Sequence, residues 1–183
     1  MRDLSAARCL PLVSASTALR ALPPATRYVL RGGSDVRAAA EGALGFGIPA
    51  TACRATVAGD RAALWLGPDE WLLIAPQPPP DGLATALAAT LESLLHSLVD
   101  VSQRQSALAV SGPQATTLLA AGCPLDLDAS AFPVGMCTRT MLAKAEIVLW
   151  RTSEATFHVE VWRSFAAYVT EFLAEVAREL PVA

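Results

Sequence analysis

The chain has 183 residues, of which 53% are hydrophobic and only 17% charged, with a formal net charge of −3 and a mean hydropathy of +0.40. That length is enough to bury about 70% of the surface of the unfolded chain, so neither disulfides nor a metal is needed to build a core. Scattered arginines in an acidic chain exclude a phosphate-tracking nucleic-acid surface, and the longest uncharged stretch, Gln105 to Leu125, is broken by Gly112, Pro113 and Pro124, so no membrane span is expected.

Residues 1–24 read as an irregular, partly extended arm ending at Pro23-Pro24. Its apolar stretch is interrupted by Pro11, Ser14, Ser16 and Thr17 and flanked by Asp3 and Arg20, so it does not make a leader and a cytoplasmic chain is expected. Thr26 to Arg31 is a strand stopped by Gly32-Gly33. Ser34-Asp35 then caps a short helix over Val36 to Leu44, which Gly45 and Gly47 end. Cys53 to Val57, Arg61 to Leu66 and Glu70 to Ala75 are strands, separated by turns at Gly59-Asp60 and Gly67-Pro68-Asp69. The run Pro78-Pro79-Pro80 breaks the chain. Asp81 caps a helix from Leu83 to Ser97, because Leu83, Leu87, Leu91, Leu94, Leu95 and Leu98 recur at three- and four-residue steps.

The second half follows the same grammar. Gln105 to Ser111 is a strand, and Gly112-Pro113 opens a helix through Ala121, closed by Gly122. A loop carries Asp126, Asp128, Phe132 and Pro133. Thr138 to Leu142, Glu146 to Arg151 and Phe157 to Trp162 are strands. Phe165 to Leu180 is a helix with Phe165, Val169, Phe172, Leu173 and Val176 on one face.

The parallel is an internal repeat with an offset of about 80 to 86 residues. Tyr28 to Asp35 matches Ala107 to Gln114, Ala63-Leu-Trp-Leu66 matches Val148-Leu-Trp-Arg151, and Trp71 to Ile74 matches Phe157 to Glu160. Neither half has enough strands to cover its own apolar helices. The expected fold is α+β, with two similar strand-helix-strands-helix units packed about a pseudo-twofold axis. The divisions are an arm (1–24), a first unit (25–98) and a second unit (99–183), together one compact domain.

No catalytic, cofactor-binding or metal residue can be assigned. There is no G-x-S-x-G, His96 and His158 have no motif partner, and no glycine pattern cradles a phosphate. Cys9, Cys53, Cys123 and Cys137 are widely spaced, which reads as reduced thiols rather than a zinc site. Asp126 and Asp128 are turn formers. Asp100, in the apolar segment Leu98-Val-Asp-Val-Ser102, reads as a buried carboxylate that needs a partner, with Arg104 the nearest in sequence; a structural pair and a ligand-binding role both remain open. Trp65, Trp71, Trp150 and Trp162 could stack a flat cofactor or fill the core. Trp162-Arg163-Ser164-Phe165 is a strand-to-helix junction where Arg163 could bind an anion or a partner carboxylate. About a fifth of the chain is alanine, and the surplus hydrophobicity needs a very complete core or a surface covered by another protein. Leu10 and Leu12 of the arm are the candidates for such a surface.

Six segments together resemble the gamma subunit family of heterotetrameric sarcosine oxidase. They are Val99-Asp-Val-Ser-Gln-Arg-Gln105, Leu108-Ala-Val-Ser-Gly-Pro-Gln114, Leu118 to Leu127, Phe132 to Thr140, Lys144 to Trp150 and Val161-Trp-Arg-Ser-Phe165. The resemblance covers about residues 26–180 and extends, more distantly, to the folate-binding fold of glycine-cleavage aminomethyltransferases. It implies an aminomethyltransferase-like fold and a small, non-catalytic subunit. Its partners would be alpha, beta and delta subunits that together convert sarcosine to glycine, hydrogen peroxide and either formaldehyde or methylenetetrahydrofolate. It further implies no cofactor in this chain, with FAD, FMN, NAD, tetrahydrofolate and zinc held by the partner subunits. Gln103 stands where the related Asp-Val-Ser-His pattern has its histidine, which removes proton transfer at that position. The other reading of Asp100, Arg104 and the tryptophans is a stand-alone folate-binding or one-carbon-transfer protein.

Overall fold

The computed structural model describes residues 17–79 and 82–180. In chain order its elements are β1 (Ala18–Ala21), β2 (Ala25–Gly32), α1 (Ser34–Leu44), β3 (Ala55–Ala58), β4 (Arg61–Gly67), β5 (Glu70–Pro76), α2 (Leu83–Leu91), β6 (His96–Asp100), β7 (Gln105–Ser111), α3 (Ala115–Ala120), β8 (Cys137–Leu142), β9 (Ala145–Ser153), β10 (Thr156–Trp162) and α4 (Ala166–Glu179). A 3-10 turn, Arg163–Phe165, joins β10 to α4. The chain forms two units: Pro24–Gln103, and the segments on either side of it. No helix among the described residues is long and apolar enough to cross a membrane.

The unit Pro24–Gln103 is an antiparallel sheet in the order β3-β4-β5-β2-β6. Alternation along β2 and β5 sends Tyr28, Leu30, Trp71, Leu73 and Ala75 to one face, where Val36, Ala40 and Leu44 of α1 and Leu83, Leu87 and Leu91 of α2 complete a core. Burying each of these leucines stabilises the fold by roughly 1.5–3 kcal/mol. The Trp71 indole N–H donates to the Pro49 carbonyl at 2.8 Å, so the ring enters the core with its polar atom satisfied. Gly32 ends β2 because a Cβ there would lie 2.6 Å from Val36 in the first turn of α1.

The other unit has the order β1-β7-β10-β9-β8. Leu108, Val110, Leu149, Phe157, Val159 and Val161 face Leu118 and Leu119 of α3, with Ala166, Val169, Leu173 and Ala177 of α4 on the same core. Their three- and four-residue spacing along α4 is one helix face. Gly122 closes the segment after α3 where a Cβ would meet the Phe172 ring at 2.7 Å.

Element by element, β2 corresponds to β7, α1 to α3, α2 to α4, and β3, β4 and β5 to β8, β9 and β10 respectively. The repeat is therefore present in both units, and its strand pairing corrects the sequence register. In β5 and β10, Trp71 and Phe157 are equivalent, and their partners are Trp65 and Arg151. Trp65 thus corresponds to Arg151, not to Trp150, and Leu64 takes the position of Trp150. Aligning the two tryptophans slips the register by one residue, which turns every side chain to the opposite face.

The fifth strand of each sheet comes from an exchange. β1 runs on into β2 but pairs with β7, Ala18 opposite Ser111. β6 runs on into β7 but pairs with β2, Tyr28 opposite Asp100. The extended part of the arm is β1, with Leu19 buried in the core beside β7. The exchange corrects two expectations. The helix expected to Ser97 stops at Leu91; residues 96–100 instead pair with β2, leaving Leu94 and Leu98 partly buried and Leu95 96% exposed. The leucine spacing fitted a helix, but backbone pairing on the open edge of β2 decides the conformation. The boundary placed between Leu98 and Val99 consequently falls inside β6. Asp81, Leu10 and Leu12 lie outside the described residues.

Candidate functional site

β10 alternates Phe157, Val159 and Val161 into the core, so Trp162 falls on the other face, opposite Gln105 at the start of β7. At the end of the strand Trp162 has lost its flanking neighbours and is 44% exposed. The chain turns there into α4, and the Arg163 N–H donates to the Arg104 carbonyl at 2.8 Å, fixing this junction to the residue before β7. The Arg104 guanidinium lies 5.4 Å from the Trp162 ring centre, a cation–π contact worth about 0.5–1 kcal/mol at an exposed site. Because Ala166 and Val169 take the core positions of α4, Phe165 and Tyr168 fall outside them, 41% and 37% exposed and three residues apart. The result is a patch of three aromatic rings and two exposed arginines.

Its electrostatics are one-sided. Among the described residues, neither Arg104 nor Arg163 has a carboxylate partner. The first turn of α4 contains no acidic residue and has no side-chain cap, so the positive end of the helix dipole is not offset there. Beneath the ring, the Gln105 side-chain oxygen is sealed from solvent without a hydrogen-bond partner.

Asp100 corrects its sequence reading. It is exposed, and its Oδ1 accepts the Ser102 N–H at 2.8 Å, which makes it a turn former rather than a buried charge in need of Arg104. Burial first, and then the charge of Asp100, push the phenol of its cross-strand neighbour Tyr28 up from its ordinary value. Arg104, Trp162 and Arg163 come together as described. Phe165, expected on the buried face of its helix, is exposed instead, and Tyr168 and Gln105 join the patch without having been singled out from the sequence. A spacing of 165 and 168 around core positions 166 and 169 was the available signal.

A second group of polar residues is buried. The Glu160 side chain is fully buried and receives His158 Nε2 at 2.7 Å, while the Trp150 ring lies 5.5 Å from the His158 ring. Arg151 is also buried; it donates to the carbonyls of Leu127, Phe132 and Glu154 at 3.2, 3.0 and 2.5 Å and sits over the Phe157 ring. Asp126 and Asp128 form turns: Asp128 Oδ1 accepts from the Ser130 hydroxyl at 2.6 Å and from its N–H at 2.9 Å, and these bonds hold the Asp128 carboxyl below the usual range. Cys53 is partly exposed, and Cys123 and Cys137 are buried. Among the described residues no cluster of three or more His, Cys, Asp or Glu could hold a metal ion.

Comparison with known proteins agrees with the segments that carried the resemblance. The model of the family described as "Sarcosine oxidase, gamma subunit family" matches residues 32–179. Sarcosine oxidase subunit gamma of Arthrobacter sp is 37% identical over 164 residues, covering 88% of this chain and 80% of that protein. The subunit gamma of Corynebacterium sp. (strain P-1) is 37% identical over 166 residues with the same coverage. A chain of the heterotetrameric sarcosine oxidase from Corynebacterium sp. U-96, solved in complex with pyrrole 2-carboxylate, superposes with a TM-score of 0.84 at 32% identity, covering 91% of this chain and 88% of that one. Aminomethyltransferase T of the glycine cleavage system from Bartonella henselae shares the fold, with a TM-score of 0.64 at 14% identity over 88% of this chain and 46% of its own.

Proposed function

The chain belongs to the sarcosine oxidase gamma subunit family, and from that premise we propose that it is a small, non-catalytic subunit that supports assembly of a heterotetrameric sarcosine oxidase. The observation that carries this reading is the match over nine-tenths of the chain to a member of such a heterotetramer. In it, the partners are alpha, beta and delta subunits in the cytoplasm. They carry FAD, FMN, NAD, tetrahydrofolate and zinc, and they oxidatively demethylate sarcosine to glycine with hydrogen peroxide and either formaldehyde or methylenetetrahydrofolate. The residues support a scaffold role: the charged interior groups Arg27, Glu70, Arg151 and Glu160 are all buried, whereas the exposed aromatic rings gather at one junction.

The residues weighed for a stand-alone folate site do not fit one. Asp100 caps its own turn, Trp71 and Trp150 are buried, and the face of Trp162 carries Arg104. Titration calorimetry with tetrahydrofolate tests the point: binding tighter than millimolar by the isolated chain would favour the stand-alone reading.

The subunit reading is tested by co-expressing the chain with the other three subunits. It should elute with the flavoprotein on size exclusion; elution apart from them would sink the proposal. Leu10 and Leu12 are proposed to add to the interface from the arm. Because β1 begins at Ala18, the deletion that tests them is residues 2–16, which spares that strand. Unchanged assembly of this deletion would remove the arm from the interface.

A further inference from the structure

We infer that the junction of β10 and α4 docks an acidic segment of a partner subunit, with Trp162, Phe165 and Tyr168 supplying apolar contact and Arg104 and Arg163 receiving its carboxylates. This rests on the reading of the chain as a subunit. The choice of occupant follows from charge. Two guanidinium groups and an uncapped helix start meet at one place with no carboxylate among the described residues to neutralise them, whereas Arg31, Arg37 and Arg178 are matched by Glu70, Glu41 and Glu175 of the same chain. Glu171, one turn past Tyr168, is the first acid along α4 and pairs with neither arginine.

The patch also has the composition and preorganisation of an energetic centre. Trp, Tyr and Arg are the residues that dominate binding energy when enclosed. Arg104 is already oriented by the Trp162 ring and by the backbone bond from Arg163, so less side-chain freedom is lost on binding. An Arg guanidinium presents a planar fork that matches a carboxylate in two parallel hydrogen bonds.

The test uses the co-expressed four-subunit complex. The double variant Arg104→Glu, Arg163→Glu should reduce the chain recovered with the flavoprotein peak about tenfold or more, and Trp162→Ser with Phe165→Ser should do likewise. All four positions are exposed, and circular dichroism of each isolated variant separates loss of docking from loss of fold. The charge-keeping double variant Arg104→Lys, Arg163→Lys should restore assembly. It also supplies amines in a chain whose natural sequence has a single lysine, Lys144. Carbodiimide treatment of that complex should join position 104 or 163 to an Asp or Glu of another subunit, read by mass spectrometry. Wild-type recovery of the charge-reversed, folded variant overturns the docking face while leaving the subunit reading intact. Cross-links from 104 and 163 only to carboxylates of this chain overturn the acidic occupant. Failure of the wild-type chain to co-elute overturns the subunit reading and this face together.

Discussion

In β4 and β5 of the unit Pro24–Gln103, Trp65 faces Trp71, and the corresponding pair in β9 and β10 is Arg151 and Phe157. One register position further along the strands, Leu64 and Leu72 correspond to Trp150 and His158, and two positions beyond that Ala62 and Ile74 correspond to Val148 and Glu160. The same pairing thus holds aromatic and aliphatic side chains in one unit and ionisable ones in the other. The difference follows from the loops. Between α1 and β3 the chain crosses residues 45–54, but between α3 and β8 it crosses the longer segment 121–136. Backbone carbonyls of that longer segment are buried and need donors. Arg151 supplies them to Leu127 and Phe132, so a charge occupies a core position where the covering loop brings buried backbone carbonyls alongside its own apolar side chains.

The comparison can be broken most forcefully at Arg151. Arg151→Met keeps apolar bulk but takes the donor from four carbonyls, those of Leu127, Phe132, Ser153 and Glu154, and should destabilise the protein by about 3–5 kcal/mol in urea denaturation. A loss below about 1 kcal/mol would mean the loop is held by something other than this side chain. The closing helices offer a symmetric test. Leu87→Ala in α2 and Leu173→Ala in α4 both empty a fully buried site, and each should cost about 3 kcal/mol. A large inequality would show that one unit relaxes around the cavity and the other does not.

Smaller effects separate the units by pH. Asp128 has a carboxyl value held down by Ser130, so its contribution is present above the ordinary value and lost as pH falls through the folded one. Asp128→Asn should lower Tm near neutrality and converge with wild type in acid. Tyr28 is the reverse case: its value is raised above 10.0, so its stabilisation is complete below that and lost as pH rises through the folded value. Tyr28→Phe should flatten the alkaline fall of Tm, and an unchanged alkaline limb would remove Tyr28 as its cause. Least of all, Leu95→Ser should change stability by less than about 0.5 kcal/mol, since the side chain is almost wholly in solvent. A loss of 2 kcal/mol would instead indicate that the helix continues past Leu91.

Much of this fold was legible because the apolar runs of β5, β7 and β9, the alternation in β10 and the leucine spacing of α2 are short-range patterns. The edge strands were not. β1 has four residues and β6 five, and each becomes a strand only because an open edge lies beside it; nothing local in Leu94 to Leu98 favours strand over helix. The repeat was visible, but its register was not, since matching tryptophans outweighed the pleat that sets facing. At the candidate site, Arg163 could be read from its junction. The stacking of Arg104 on Trp162 could not, because it depends on β7 and β10 being neighbours. Asp100 misled for the opposite reason: an acid among apolar residues suggests burial, yet a short edge strand leaves it in solvent.

The exchanged first strands set an order of events during synthesis. β6 finds β2 within a segment that is complete once Gln103 has left the ribosome, so that sheet closes early. β1 emerges before it, yet its partner β7 is made only after the whole of the unit between them. The ring closed by Ala18 and Ser111 encloses that unit entirely, and such a distant pairing carries the larger chain-entropy cost and the slower approach. The first of the described strands is therefore seated only after a whole intervening unit has been made. Until then, the edge of β7 stands open to any extended segment within reach, including the β1 of another nascent chain.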